Sequence, residues 1–216
     1  MARPAPAIPL DEAALCIAAH VQPELDIAAY LRRLDELAAR CTNPTLDGLL
    51  AVLFGPDGFS GNADAYYDTA NSCLDQVLDR RTGIPITLAV LTIEVGRRVG
   101  VPLDGVGMPG HFLLRDKVDT SVFVDPFDRG RILDHLACRR LFDAVTGGRL
   151  EWRDEYLAPV PRNAIVERML ANLKAIYARA NDLDGLRWVI RLRLACPGVD
   201  QRIERRELAR LMAPTN

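Results

Sequence analysis

The chain has 216 residues, of which 49% are hydrophobic and 26% charged, and its formal net charge is −2. This length accommodates one substantial domain or one domain with a small appendage, and the composition is that of a globular protein rather than a disordered or fibrous one. The slight acidity argues against a general nucleic-acid binder, because affinity for a phosphate backbone depends on clustered Lys and Arg. Glutamates alternate with the arginines of QRIERRELAR, residues 201–210, which predicts a solvated helix face.

The cysteines and the apolar segments indicate the compartment. Five cysteines are scattered along the chain without a C-x-x-C pair, so their spacing fits neither a disulfide framework nor a zinc ribbon. The amino terminus lacks a long apolar signal core, and no stretch approaches the roughly 18 uninterrupted apolar residues of a membrane span. We therefore expect a cytoplasmic protein that does not associate with membranes.

Three helices are predicted at the start of the chain. Apolar residues recur at helical spacing in residues 10–21, where Asp11 is the candidate cap, and in residues 25–41. These two segments predict an antiparallel pair. A third helix, residues 46–54, is expected to end at the breaker cluster GPDGFSGN.

Two further helices precede the first strand. The later half of residues 63–83 predicts one that closes at Gly83. The other, residues 85–100, has Pro85 in its first turn and Gly100 at its end, as helix termini prefer. Apolar residues cover almost every side of this central helix, which predicts burial on most faces.

A small antiparallel sheet is predicted next. Short runs rich in Val, Ile and Phe are separated by turn-forming segments such as PG and DPFDRG. The predicted strands lie within residues 103–108, 111–115, 121–124 and 131–133. Together with the preceding helices they predict an α+β fold.

Helices return after the sheet. Residues 134–148 predict one helix, and a linker at residues 157–163 precedes a final helix pair within residues 164–196. We therefore divide the chain into a main domain, residues 1–158, and a helical hairpin, residues 159–216.

One histidine and one aspartate of the predicted sheet are candidates for chemistry. His111 lies in GMPGHFLLR at the head of one strand, and Asp125 lies in VFVDPF at the end of the next. Such a pair is the orienting half of a nucleophilic triad, because the imidazole takes a proton and the carboxylate fixes its tautomer. The alternative is a structural histidine that is hydrogen-bonded in a sheet.

Four runs resemble, in order, the SirB1-type branch of the transglutaminase-like superfamily. They are LFGPDGFSGNADAYYD, NSCLDQVLDRRTGIPITLAVLTIEVGRRVGVPL, GVGMPGHFLLR and VFVDPFDRG. The similarity begins near ELDIAAYLRRLDELA and extends to residue 150 or so. It implies a papain-like fold in which a buried helix carries a cysteine nucleophile at its amino end and packs on an antiparallel sheet that supplies His and Asp.

The nucleophile that the resemblance implies is missing. Typical transglutaminase cores begin this helix with G-x-C and end it at a glycine. Laying that spacing on Gly83 and Gly100 puts Pro85 at the cysteine position. Proline has no lone pair or ionisable proton with which to attack a carbonyl, so acyl-thioester chemistry cannot start there.

Two other residues are weighed as nucleophiles. Thr87 lies two residues further along the helix, a rotation of roughly 200° that points it away from the direction of Pro85, and an alcohol needs strong activation. Cys73 is chemically better, since a thiol has a useful thiolate fraction near neutrality. The family more often carries an aromatic at that position, however, so a buried small hydrophobe is the favoured interpretation of Cys73.

Other residues are candidates for lining the cleft. Asn71 matches the N-S pattern of the family and can both donate and accept hydrogen bonds, unless it lies on a helix surface. Gly110, directly before His111, is a further candidate. Arg80 and Arg81 precede the central helix, where an anion would bind at the amino terminus, although solvated charges are the default interpretation.

A metal site is not expected, and no cofactor is implied. The spacing of the residues with suitable side chains contains no H-x-x-x-H or C-x-x-C pattern. Two adjacent side chains also rarely converge on one ion. The residues with ligand chemistry are His111, Asp125, Asp128, Asp134 and His135.

The final helix pair resembles a tetratricopeptide repeat. Leu173 and Tyr177 occupy the repeat positions of the first helix, and Gly185 and Val189 those of the second. One such unit cannot build a groove of stacked repeats, so we expect it to pack on the main domain or on a partner subunit.

Two functional hypotheses follow from the sequence. The preferred one is a regulatory binding module whose cleft holds a peptide or a small molecule and whose helical tail contacts a protein partner. The alternative is a hydrolase or acyl transferase that uses His111 and Asp125 with water or another nucleophile, Cys73 or Thr87. The oligomeric state stays open.

Overall fold

The structure is a computed structural model that describes residues 9–213. The first eight residues of the segment predicted to lack a signal core therefore lie outside the described residues. The helices of the described chain are Leu10–Ala19 (α1), Ile27–Ala39 (α2), Leu46–Phe54 (α3), Leu74–Arg80 (α4), Pro85–Val99 (α5), His135–Thr146 (α6), Arg162–Ala180 (α7), Leu183–Arg193 (α8) and Gln201–Met212 (α9).

The strands form two sheets. Ser60–Gly61 (β1) and Thr82–Gly83 (β2) pair in parallel. The strands of the other sheet are Leu103–Val106 (β3), Leu113–Asp116 (β4), Phe123–Asp125 (β5), Arg131–Leu133 (β6) and Pro159–Val160 (β7). This sheet is antiparallel and has the order β6-β5-β4-β3-β7. The predicted α+β fold is confirmed: helices fill the amino-terminal half and a small antiparallel sheet follows.

The central helix α5 forms the middle of the core. Pro85 stands in its first turn, where its missing N–H removes no helical hydrogen bond, and Gly100 ends it with a φ of +81°. Every residue of its first three turns, residues 85–96, is buried. One side of α5 packs on β3 and β4, and the helices α1, α2, α3, α4 and α7 contact the rest. The predicted burial on most faces is therefore confirmed.

A buried ion-pair network fastens α5 to its neighbours. Glu94 is fully buried, and its carboxylate accepts from Arg97 Nε at 2.7 Å and from Arg162 Nη1 of α7 at 2.8 Å. Arg98 Nη2 donates to Asp11 Oδ2 of α1 at 2.7 Å. The prediction that Asp11 caps α1 is wrong. Asp11 lies inside the helix, and Pro9 stands at the cap position. The cost of burying the Asp11 carboxylate is offset by its ion pair with Arg98.

Two predicted segments differ from the structure. The helix α4 ends at Arg80 rather than at Gly83, because Arg81 has a φ of +57° and Gly83 pairs in β2. Residues 157–163 are not an open linker, because β7 lies within them and pairs with β3. This short strand extends the sheet beside the first residues of α7. The domain boundary between residues 158 and 159 stays a prediction.

The carboxyl-terminal helices pack as a layer. α7 contacts α8, and α8 contacts α9. Gly185 lies so close to the ring of Tyr177 that a Cβ atom at position 185 would clash with it. Glu204 of α9 is buried and accepts from Lys174 Nζ and Arg193 Nε, each at 2.8 Å. The solvated face predicted for residues 201–210 is therefore wrong at Glu204.

Candidate functional site

His111 and Asp125 meet at one end of the sheet. Asp125 is the last residue of β5, and His111 precedes β4, which begins at Leu113 rather than at the histidine. The antiparallel pairing of the two strands, with Leu114 opposite Val124, brings the two side chains together. His111 Nε2 lies 2.9 Å from Asp125 Oδ1, and both residues are buried.

The Asp125 carboxylate is held by backbone donors as well. Its Oδ1 accepts from the N–H of Phe127 at 3.0 Å and from that of Asp128 at 3.3 Å. These bonds form within the turn that follows β5, where the chain reverses toward β6. An acceptor fixed in this way orients the imidazole and selects the tautomer with its proton on Nε2.

The turn before His111 explains the glycine at position 110. The His111 N–H donates to Met108 O at 3.1 Å, and Gly110 has a φ of +77°. Proline at the second position and glycine at the third are the residues that a type II turn requires. The edge of the His111 ring also packs on Phe127, with centroids 6.0 Å apart. The ring is therefore presented by a fixed loop.

A cleft brings His111 and Pro85 together. Both residues border one cavity of about 270 Å³. Its other lining residues are Tyr66, Ile86, Gly110, Phe112, Arg168 and Asn172. Because Nε2 bonds to Asp125, Nδ1 is the ring nitrogen left for a group in this cleft, and it makes no hydrogen bond within residues 9–213. The arrangement places an imidazole nitrogen and the proline of the first turn of a buried helix at the same cavity.

Cys73 and Thr87 lie away from the cleft. Neither residue borders the cavity, and both are buried. Burial raises the pKa of the Cys73 thiol to about 12, with smaller contributions from the charges of Asp75 and Asp68. Thr87 Oγ1 is buried without a hydrogen-bond partner among the described residues. A thiol of this pKa has almost no thiolate at neutral pH, and the thiolate is the reactive form.

Asn71 braces the segment that carries Tyr66. Its Nδ2 donates to Ala65 O at 2.7 Å and to Tyr66 O at 3.3 Å, while its Oδ1 accepts from Asn62. Its backbone oxygen accepts from the N–H of Ile84, the residue before α5. Asn71 is buried and does not border the cavity, so its contribution to the cleft is to hold the backbone of the segment that carries Tyr66.

The two arginines before α5 do not reach the cleft. Arg80 pairs with Asp68 at 2.9 Å, and Arg81 donates to the backbone oxygen of Asp57. Arg81 instead borders a separate cavity of about 450 Å³ between α2, α3 and the loop that follows α3. These contacts lend no support to an anion held by the two arginines at the α5 terminus, and the default interpretation of partly solvated charges fits their exposure.

Three polar residues of the cleft were not predicted from the sequence. Tyr66, Arg168 and Asn172 all border the cavity, and the last two come from α7. Arg168 Nη2 donates to Met108 O at 2.9 Å and to His111 O at 2.6 Å, so it also fixes the His111 loop. The apolar period of α7 indicates only that the segment is helical. It does not show which side chains turn toward the cleft.

The residues with metal-ligand chemistry have other roles. Asp134 caps α6 by accepting from the Ala137 N–H at 2.7 Å, and His135 lies 3.2 Å from Asp154. Across residues 9–213 there is no cluster of three His, Cys, Asp or Glu side chains arranged to hold a metal ion. None of the helices in that range is both long and apolar enough to cross a membrane.

A comparison with protein families assigns the class. The model of the transglutaminase-like superfamily matches residues 17–171, a segment that contains Pro85, His111, Asp125 and Arg168. The chain belongs to this superfamily.

The relatives narrow the assignment to UPF0162 proteins. The UPF0162 protein of Xylella fastidiosa (strain 9a5c) is 42% identical over 191 residues, which cover 82% of this chain and 68% of that protein. The UPF0162 protein of Vibrio cholerae is 30% identical over 184 residues, covering 80% and 68%. F-box only protein 21 of Homo sapiens is 33% identical over 144 residues, which cover 62% of this chain and 22% of that protein. No solved structure matches the chain.

Proposed function

We propose that this transglutaminase-like domain is a regulatory binding protein whose cleft holds a peptide or a small molecule without thiol chemistry. One observation carries the proposal: Pro85 occupies the amino end of α5 in the cavity that His111 also borders. In this proposal the cleft keeps the His–Asp dyad of an acyl-transfer enzyme, while a pyrrolidine ring holds the position of the attacking atom.

Neither thiol nor hydroxyl near α5 replaces the missing nucleophile in this proposal. Cys73 is buried outside the cavity with its pKa at about 12, and Thr87 is fully buried and does not border the cavity either. A general base accelerates attack only when it is within hydrogen-bond reach of the nucleophile. What the cleft retains is a set of polar groups that can bind a ligand.

A second candidate function rests on the intact dyad. His111 and Asp125 keep the 2.9 Å contact that a general base needs, and Nδ1 is available to accept a proton. A hydrolase or acyl transferase would use this base to activate water, or would employ Cys73 or Thr87 after a rearrangement of the core. In that case His111 is a catalytic residue and Asp125 its positioning residue.

The two functions are separated by measuring turnover and binding on the same samples. A panel of peptide amides, esters and thioesters is incubated with the wild-type protein, His111→Ala and Asp125→Asn, and the products are quantified by mass spectrometry. Ligand occupancy is followed through the NMR signals of the His111 ring in the wild type and in Asp125→Asn, and by calorimetry in His111→Ala. Saturable shifts without product support the binding module, and product formation that both variants abolish supports the enzyme.

The carboxyl-terminal helices are part of the proposal as a contact surface for a protein partner. α7 contributes to the cleft, while Ile203 and Met212 of α9 expose apolar side chains. The likeness of α7 and α8 to a tetratricopeptide unit and the narrower SirB1-type assignment rest on the sequence motifs. A cytoplasmic location, predicted from the cysteine pattern, belongs to the same proposal.

A further inference from the structure

Arg168 is a cation at the cleft that has no acidic partner. It contacts the oxygens of Met108 and His111, which accept from Nη2, and the ring of Phe112, whose centroid lies 5.4 Å from Cζ. Within residues 9–213 no carboxylate lies at ion-pair distance from it, and the group that acts on it electrostatically is the phenol of Tyr66. Other arginines near the core, such as Arg97 and Arg98, do pair with carboxylates.

Arg168 is half-buried, and this partial burial makes its isolated charge costly. Desolvation lowers the pKa of the Arg168 guanidinium, which means that the surroundings disfavour its positive charge. A charged group withdrawn from water without a counter-ion destabilises the folded state unless another anion approaches it. Two backbone oxygens supply part of that compensation through Nη2 and leave the Nη1 and Nε donors without an acceptor among the described residues.

Other polar groups converge on the same cavity. Tyr66 and Asn172 border it, and neither side chain makes a hydrogen bond within the described chain. His111 Nδ1, an acceptor in the tautomer that Asp125 selects, is likewise unbonded. The donors of Tyr66, Asn172 and Arg168, beside a cation without a carboxylate partner, are what an acceptor-rich anionic group requires.

The size of the cavity limits the ligand. A volume of about 270 Å³ is slightly below the range of roughly 300–1,000 Å³ in which drug-sized ligands bind. It accommodates one amino-acid residue or the end of a peptide rather than a folded surface. With Nη2 donating to two backbone oxygens, the Nε and Nη1 donors of Arg168 can each make a charge-assisted hydrogen bond to a carboxylate oxygen.

We infer that Arg168, with Tyr66 and Asn172, recognises a carboxylate of a peptide bound in the cleft, supplied by its carboxyl terminus or by an acidic side chain. This inference rests on the proposed binding function and names the chemistry of its ligand. Arg168 is then a specificity-determining residue beside His111 rather than a structural support alone.

The experiment compares matched peptides that differ in charge. N-acetylated dipeptides are prepared as free acids, as carboxyl-terminal amides, and as amides with Glu or Gln in the last position. Binding at low ionic strength is measured by calorimetry and by the His111 ring signals. The free acids or the Glu amides are expected to bind at least about tenfold more tightly than their neutral counterparts, and which pair shows the preference identifies the source of the carboxylate.

Variants connect the preference to Arg168. Arg168→Gln is expected to remove the preference for the charged peptide, so that charged and neutral peptides bind with similar affinity, and Arg168→Lys is expected to restore the preference in part. Arg129→Gln is the matched control, because Arg129 Nη2 also donates to two backbone oxygens, those of Gly55 and Pro56, but lies outside the cleft. If Arg168→Gln does not fold, the affinities of charged and neutral peptides for the wild type and for Arg168→Lys still test the recognition of a carboxylate.

The failures of the two proposals differ. Equal binding of charged and neutral peptides overturns the recognition of a carboxylate and leaves the binding function standing. An equal loss of the preference in Arg129→Gln and Arg168→Gln overturns the recognition by Arg168 in the same way. If no peptide of either charge shifts the His111 signals, the recognition of a carboxylate and the binding of peptides by the cleft both fall.

Discussion

Pro85 and His111 border the same cavity, with Pro85 in the first turn of the buried helix α5 and His111 held by Asp125 at 2.9 Å. The superfamily match covers both residues. The cleft therefore joins an imidazole held by a carboxylate to the proline in the first turn of α5. This relationship between Pro85 and His111 is tested by substitutions at position 85. Further substitutions test the buried thiol of Cys73 and the surrounding scaffold.

Restoring a thiol at position 85 should create a reactive cysteine. The Pro85→Cys side chain would stand at the amino end of α5, near His111, where unsatisfied N–H groups and a neighbouring imidazole favour the thiolate. We expect its pKa to fall below the ordinary value of about 8.5 and its alkylation at pH 7 to exceed that of Cys73 at least about tenfold. Iodoacetamide labelling followed by peptide mass spectrometry measures both rates.

The companion variant tests whether His111 is responsible. In Pro85→Cys with His111→Ala, the rate of labelling at position 85 should fall toward that of an ordinary exposed thiol, while Pro85→Ala should label like the wild type. Equal labelling rates with and without His111 would show that the His111–Asp125 pair does not activate a thiol at position 85.

The buried thiol of Cys73 should make the fold sensitive to alkali. Its pKa of about 12 is raised above the value of 9.0 for the unperturbed thiol, mainly by burial. The unfolded chain therefore loses this proton first as the pH rises, so the contribution of Cys73 is complete below pH 9 and is lost progressively between pH 9 and 12. A single group of this kind steepens the decline of the unfolding free energy with pH by at most about 1.4 kcal/mol per pH unit.

Urea denaturation at several pH values measures this slope. Cys73→Ala should flatten the decline of the unfolding free energy above pH 9 relative to the wild type, whatever its effect at pH 7. Cys16, an exposed thiol, provides the control, and Cys16→Ala should leave the slope unchanged. A decline that is identical in Cys73→Ala would contradict the raised pKa.

The Gly110 turn should be needed for the orientation of His111. At a φ of +77° an alanine is strained by roughly 1–2 kcal/mol, and its Cβ would stand 3.2 Å from Val145 Cγ2. Gly110→Ala is therefore expected to lower stability and to displace the ring of His111. Chemical denaturation and the His111 NMR signals measure the two effects.

Gly148→Ala is a close control for this turn. Gly148 has a φ of +68°, and a Cβ atom added there would meet no neighbour within 4 Å, so the variant carries the strain without the contact at the cleft. Both variants should lose stability, and Gly110→Ala alone should change the His111 signals. The role of the turn would be refuted by an unchanged His111 spectrum in Gly110→Ala.

Removal of the Glu94 carboxylate should destabilise the domain strongly. Glu94 is fully buried and compensates Arg97 and Arg162, so Glu94→Ala takes from these cations their shared carboxylate inside the fold. A loss of about 1.5–3 kcal/mol in unfolding free energy is expected, because charge-assisted hydrogen bonds are removed while the two arginines stay partly exposed to solvent. Asp184→Ala, which removes an exposed partner of Arg187, should have a much smaller effect. Thermal and urea denaturation measure both losses.

Short sequence patterns predicted the helix and the strands that position Pro85, His111 and Asp125. Pro85 and Gly100 marked the limits of α5, and the short runs rich in Val, Ile and Phe marked the strands that bring His111 to Asp125. Those signals depend on backbone preferences that hold wherever the segment packs.

Long-range packing determined the rest. Arg168 reaches the cleft because α7 packs against α5 and turns this side chain toward the His111 loop, which the periodicity of α7 does not reveal. Glu204 is buried because Lys174 and Arg193 meet it from two other helices. Asp11 has the residue type of a cap, and its actual partner, Arg98, is distant in sequence.

Whether the cleft binds peptides without thiol chemistry is decided by one titration. Isotope-labelled wild-type protein is titrated with the N-acetylated dipeptide acids and amides and with a peptide thioester, while the His111 ring signals and the peptide masses are recorded in the same tubes. We expect saturable shifts of the His111 signals, peptides recovered intact, and no mass added to the protein. Product formation, or an acyl adduct, that disappears in both His111→Ala and Asp125→Asn would show instead that the cleft is catalytic.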